Sequence, residues 1–155
     1  MNARACIRVS LAILLGLTAC ATPPPPPKPT TISATLDAHA NVNPDARARP
    51  SPVVVRFYEL KSVGAFNGAD FFSLYDHDKE VLGAELVASE EFDLRPGEKR
   101  PMARTLQTDT RYIGVVAAFR DLERSQWRAT AAVPPNKAST VDVTIDDRTV
   151  SLVLH

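Results

Sequence analysis

The chain of 155 residues holds few side chains in arrangements that could do acid–base, nucleophilic or metal chemistry. In Asp76-His77-Asp78 an imidazole stands between two carboxylates, a donor set that a divalent cation such as zinc accepts. Adjacent side chains of an extended loop point in different directions, and no His or Cys pair follows at ligand spacing. The run therefore reads as a solvated loop. His39 and His155 complete the three histidines, one at a predicted strand end and one at the C-terminus. Glu90-Glu91 falls in a predicted strand, whose neighbours face opposite sides, so the two carboxylates cannot act on one substrate. Neither a Gly-x-Ser-x-Gly elbow nor a glycine-rich phosphate loop occurs. Phe71 and Phe72 read as core plugs, since the aromatics are spread and form no stacking platform. These residues argue against an enzyme, and no metal, cofactor or small-molecule substrate is expected.

Cysteine chemistry is different. Arg4 and Arg8 precede the short apolar stretch Val9 to Leu17, with small residues after it, which is the anatomy of a secretory signal. That stretch is about half of the roughly 20 residues a membrane-spanning helix needs. Leu17-Thr18-Ala19-Cys20 resembles the bacterial lipobox, at which the cysteine thiol is acylated and becomes the new N-terminus. Residues 1–19 are thus expected to be removed and Cys20 to be lipidated. Lipoproteins of this kind carry three acyl chains, and each buried methylene contributes about 0.8 kcal/mol, so attachment is effectively permanent. In them Asp after the cysteine commonly retains the protein at the inner membrane. Ala21 stands there, which implies the periplasmic face of the outer membrane.

Cys20 to His155 would make a mature chain of 136 residues, the 155 less the 19 ahead of Cys20, a size that suits one domain. Losing Arg4 and Arg8 leaves 16 of the 18 basic residues against 18 acidic ones. That balance lacks the basic stripe a nucleic-acid partner calls for. The other cysteine, Cys6, lies in the discarded segment, so no disulfide can staple the domain and its core must hold it. Six of the 13 prolines lie between Pro23 and Pro29. A proline run extends at about 3.1 Å per residue, so residues 20–30 would space the domain about 30 Å from the bilayer.

The remaining residues, 31–155, must supply the elements that position anything useful. In Thr31 to Ala38, Ile32, Ala34, Leu36 and Ala38 alternate with polar residues, the period of a half-buried strand. Val53 to Leu60 is apolar on both faces except at Arg56 and Glu59, as a central strand covered on both sides would be. Residues 62–82 lose that period. Asp70 could cap a helical turn bearing Phe71, Leu74 and Tyr75 on one face, and Asp78 could start another. A small helical insertion packed on the sheet edge is predicted. Strands resume over Glu85 to Leu94, Arg100 to Leu106, Arg111 to Arg120 and Trp127 to Val133. Two strongly alternating strands follow, around Val141 to Ile145 and Val150 to Leu154. Seven or eight short strands separated by turns predict an all-β, two-sheet sandwich with short helices between the early strands.

Two segments read as recognition surfaces. Asn41 to Pro52 is long for a connection between strands. Pro44, Pro50 and Pro52 stiffen it, and Asp45, Arg47 and Arg49 charge it. It is either a plain crossover or a rigid docking loop. Phe119 to Arg128 places Arg120 and Asp121 at a strand exit and Trp127 at the next strand's start, and local pairing around a core anchor would explain it equally well.

Taken in order, a lipobox, a proline spacer, Asn41-Val42-Asn43-Pro44-Asp45 and Arg49 to Leu60 resemble the TssJ (VasD-type) family of type VI secretion lipoproteins. Asp70 to Tyr75, Ile113 to Asp121 and Trp127-Arg128 match further stretches of that family. The resemblance covers residues 31–155 and implies a transthyretin-like sandwich of two sheets. It also implies that the loop between the first two strands contacts the periplasmic C-terminal region of TssM, itself associated with TssL in a trans-envelope complex. Carried onto this sequence, that contact would centre on Asn43, Pro44, Asp45, Arg47, Arg49 and Pro50. The alternative is a periplasmic ligand-binding or inhibitor lipoprotein on a similar sandwich.

Overall fold

The computed structural model describes residues 25–155. The signal segment 1–19, Cys20 and the first prolines of the spacer lie outside the described residues. Alternation builds the first strand as expected. In β1 (Thr31–Ala38), Ile32, Ala34, Leu36 and Ala38 are buried, while Ser33 is exposed. β1 pairs antiparallel with β4 (Lys99–Thr105) on one side. On the other it runs parallel to β7 (Ala138–Ile145), with Ala34 opposite Val141 and Leu36 opposite Val143. β8 (Val150–Leu154) closes this sheet, whose order is β4-β1-β7-β8.

The second sheet has the order β3-β2-β5-β6, formed by β3 (Leu86–Leu94), β2 (Val53–Leu60), β5 (Tyr112–Ala117) and β6 (Arg128–Ala132). Every pairing within it is antiparallel. β2 and β5 are its centre, as their two-sided apolar character predicts. Val53, Val55 and Phe57 of β2, with Ile113, Val115 and Ala117 of β5, face the first sheet and share its main core. Tyr58 and Leu60, with Val116, face the other way into a second core.

That second core is where the helical segment sits. α1 (Gly64–Gly68), α2 (Phe71–Asp76) and α3 (Asp78–Leu82) place Phe66, Phe71, Leu74 and Leu82 against Tyr58, Leu60 and Val116. The insertion therefore covers the outer face of the second sheet, not its edge as the sequence suggests. The reason is that an apolar strand face has the same residue pattern whether helices or another sheet cover it. At Gly114 the fit is tight: a Cβ there would lie 2.8 Å from Phe66 Cζ and 3.1 Å from Leu60 Cδ1. Asp70 caps α2 as predicted, its Oδ1 accepting from the Ser73 amide at 3.0 Å.

Two sequence expectations fail here. Phe71 is a core plug, stacked on Tyr75 with ring centroids 5.1 Å apart and edge-on to Trp127 at 5.3 Å. Phe72 is 64% exposed, because neighbours on a helix lie about 100° apart and cannot both face inward. Nor is Asp76-His77-Asp78 an extended loop, although Asp76 and His77 are exposed as expected. Asp76 ends α2 and Asp78 begins α3, and the Asp78 carboxylate lies 3.5 Å from the largely buried Arg56 guanidinium.

The two charged residues of β2 serve opposite sides of the sheet. Arg56 ties the helices down, donating to the Tyr75 carbonyl at 2.8 Å and to Glu91 at 2.6 Å. The neighbouring Tyr58 is fully buried, and burial pushes its phenol up to about 12, partly offset by the hydrogen bond from Arg56. Glu59 is buried on the sandwich side, accepting from the Thr110 hydroxyl at 2.8 Å and the Gln107 amide at 3.0 Å.

Candidate docking site

The proline-punctuated connection from β1 to β2 owes its shape to three side-chain devices. Pro44 follows Asn43, whose backbone lies in the left-handed region at φ 50°, a conformation Asn tolerates better than most residues. Asn43 is buried. Its amide nitrogen donates to the Pro52 carbonyl at 2.7 Å, which pins the start of the loop to its end. Its amide oxygen accepts the Arg120 main-chain N–H at 2.8 Å, which pins the loop to the exit of β5.

Asp45 closes the loop's tip. One carboxylate oxygen accepts the main-chain N–H groups of Arg47 at 2.8 Å and Arg49 at 3.0 Å. The other takes the Arg49 guanidinium, with contacts of 2.8 and 2.6 Å. The Arg49 side-chain hydrogen bond, with the two main-chain donors, holds the Asp45 carboxyl down at about 2. The turn passes through Ala48 at φ 59°. Ala46 to Pro50 stand exposed, while Val42 and Ser51 are buried at the base.

The base of the loop meets two other connections. The Asn43 N–H donates to the Asp147 carbonyl in the β7–β8 turn at 2.9 Å, and the Gln126 N–H donates to the Arg148 carbonyl at 2.9 Å. Together the three connections enclose an open cleft of about 850 Å³. Pro44, Asp45 and Ala46 line it from the first loop, Arg120, Asp121 and Arg124 from the second, and Asp147 and Arg148 from the third. Asp121 lies 3.2 Å from Arg148 Nε and 3.8 Å from Arg124 Nη1.

The six residues expected at a contact divide by position. Pro44 and Asp45 are half-buried and line the cleft; Arg47, Arg49 and Pro50 are exposed. Asn43 lies beneath the surface as a brace. The two segments read separately from the sequence, 41–52 and 119–128, form one surface, and the Asp147-Arg148 turn joins it without any local signal in the sequence. Among the described residues, no three His, Cys, Asp or Glu side chains group as a metal site.

The family model described as type VI secretion lipoprotein, VasD, EvfM, TssJ matches residues 30–148. The chain belongs to this family. TssJ-type solved structures share its fold closely. The T6SS lipoprotein TssJ1 from Pseudomonas aeruginosa matches at 42% identity and a TM-score of 0.80, over 82% of this chain and 97% of that one. Serratia marcescens Lip, a membrane bound component of the type VI secretion system, matches at 30% and 0.73, over 79% and 96%. A chain of a type VI membrane complex matches at 26% and 0.68, over 79% and 97%. No curated protein matches the chain. Membership of the type VI secretion lipoprotein family accounts for the eight-stranded, two-sheet sandwich.

Proposed function

We propose that this protein is a structural lipoprotein of the type VI secretion membrane complex, fixed to the periplasmic face of the outer membrane by lipid on Cys20. Its role is to dock and recruit the periplasmic C-terminal region of TssM, with TssL in the same complex. The observation that carries this reading is the placement of the β1–β2 loop. The spacer joins β1 at Thr31, and the loop leaves β1 beyond Ala38. Eight residues of strand at about 3.3 Å each separate the two ends by about 25 Å. The tether thus enters at one pole of the sandwich, and the loop projects from the other, away from the bilayer.

The loop's internal bonds support a docking role. Because Asp45 and Asn43 already hold its shape, binding costs less ordering entropy than a floppy loop would. Pro44, Asp45, Arg47, Arg49 and Pro50 are the contact residues in this reading, and Asn43 sets their geometry. The test is co-purification of the TssM periplasmic region with the full chain and with a form lacking residues 45–49. Loss of binding in a folded, membrane-localised variant supports the loop; undiminished binding removes it.

A further inference from the structure

The charges in the cleft are not equally committed. Asp45 is engaged by the Arg49 guanidinium and two main-chain N–H groups. Asp121 faces Arg148 at 3.2 Å. Asp147 accepts the Arg148 N–H at 2.7 Å and lies 3.6 Å from its guanidinium. The Arg148 guanidinium thus lies within ion-pair distance of both carboxylates, while its buried Nε makes no hydrogen bond among the described residues. Arg124 is freer: its side chain is 81% exposed, and among the described residues its ion pair, to Asp121, is 3.8 Å long. Arg120 is exposed, and among the described residues its side chain makes no hydrogen bond or ion pair. What the cleft has left to offer is guanidinium donors, which bind carboxylates through paired N–H groups.

We propose that this cleft seats an acidic segment of the docked protein partner, with a carboxylate held by Arg120 and Arg124. This rests on the docking reading above and names the chemistry the partner must bring. Phosphate of a lipid headgroup would suit the same donors, but the cleft lies at the pole opposite the tether, away from the membrane. Ala46 and Pro44 border the donors and suit an apolar residue beside the acid.

The test measures affinity of the full chain in detergent for the TssM periplasmic region, alongside Arg120→Glu/Arg124→Glu, Arg120→Gln/Arg124→Gln and the 45–49 deletion. The glutamate pair is expected to weaken binding by well over tenfold and the glutamine pair by about tenfold, with a flatter salt dependence in both. If the deletion abolishes binding while both arginine pairs bind like the parent, the loop reading stands and the acidic seat falls. If the deletion also binds normally, both fall. Should an arginine variant fail to fold, salt titration of the parent complex decides: affinity unchanged between low and high salt overturns the proposal.

Discussion

The Arg120 main-chain N–H is hydrogen-bonded at 2.8 Å to the side-chain oxygen of Asn43, 77 residues earlier in the chain. That bond joins the β1–β2 loop to the β5 exit and makes one surface from two connections. Asn43→Ala would remove the bonds to both the Arg120 N–H and the Pro52 carbonyl and leave an alanine at φ 50°, a region Asn tolerates better. Each lost hydrogen bond is only partly buried and costs about 0.5–1.5 kcal/mol. A loss of about 1–3 kcal/mol is expected in urea denaturation, and a change near zero would show that the brace is not needed.

A second prediction concerns the contact between the sheet and its helical cover. Gly114→Ala brings a methyl to within 2.8 Å of Phe66, which is fully buried beneath α1. Forcing a methyl into a packed core costs about 1–3 kcal/mol. The loss should be recovered in part by Phe66→Leu in the same chain, since the ring supplies the nearest atoms. Thermal denaturation of the two single variants and the double variant tests this coupling.

The loop tip should be resistant to acid. Asp45 sits at about 2 against an ordinary 3.8, chiefly through the Arg49 side chain. A depressed carboxyl contributes stability that is complete above the unfolded value and is lost as pH falls through the folded one. The contribution should therefore persist at pH 4 and fade between about 4 and 2. Carboxyl NMR titration would follow Asp45 directly, and Arg49→Ala should move its midpoint upward toward 3.8.

Anchor and domain should separate cleanly. Cys20 precedes the domain by a proline-rich stretch, and among the described residues none of the two cores lies before Ile32. Cys20→Ser is expected to leave a folded domain, with an unchanged denaturation midpoint, in the soluble periplasmic fraction. Recovery of that variant in washed outer membranes would show that lipid on Cys20 is not the attachment.

Much of the sandwich was legible from the sequence because half-buried strands impose a period of two. β1, β7 and β8 each alternate between core and solvent, so Ile32, Leu36, Val141 and Val143 announce their own burial. The Asp70 cap was readable for a similar reason, being a bond between residues three apart. Phe72 departs from the core-plug expectation because composition alone does not say which of two adjacent aromatics a helix turns inward. The helical cover was placed at an edge because apolar positions on β2 and β5 do not reveal what lies over them.

The sequence by itself determined the lipobox-like end, the strand-rich domain and the family, since each is written in contiguous residues. Tertiary structure alone decided the cleft. Its parts come from residues 41–48, 120–124 and 147–148, brought together only when β1 runs parallel to β7 and β5 packs across from them. It also decided that Asn43 works beneath the surface and that Arg120 and Arg124 stand exposed along the cleft. Pairing of polar groups depends on distance in space, which the order of residues in a chain does not record.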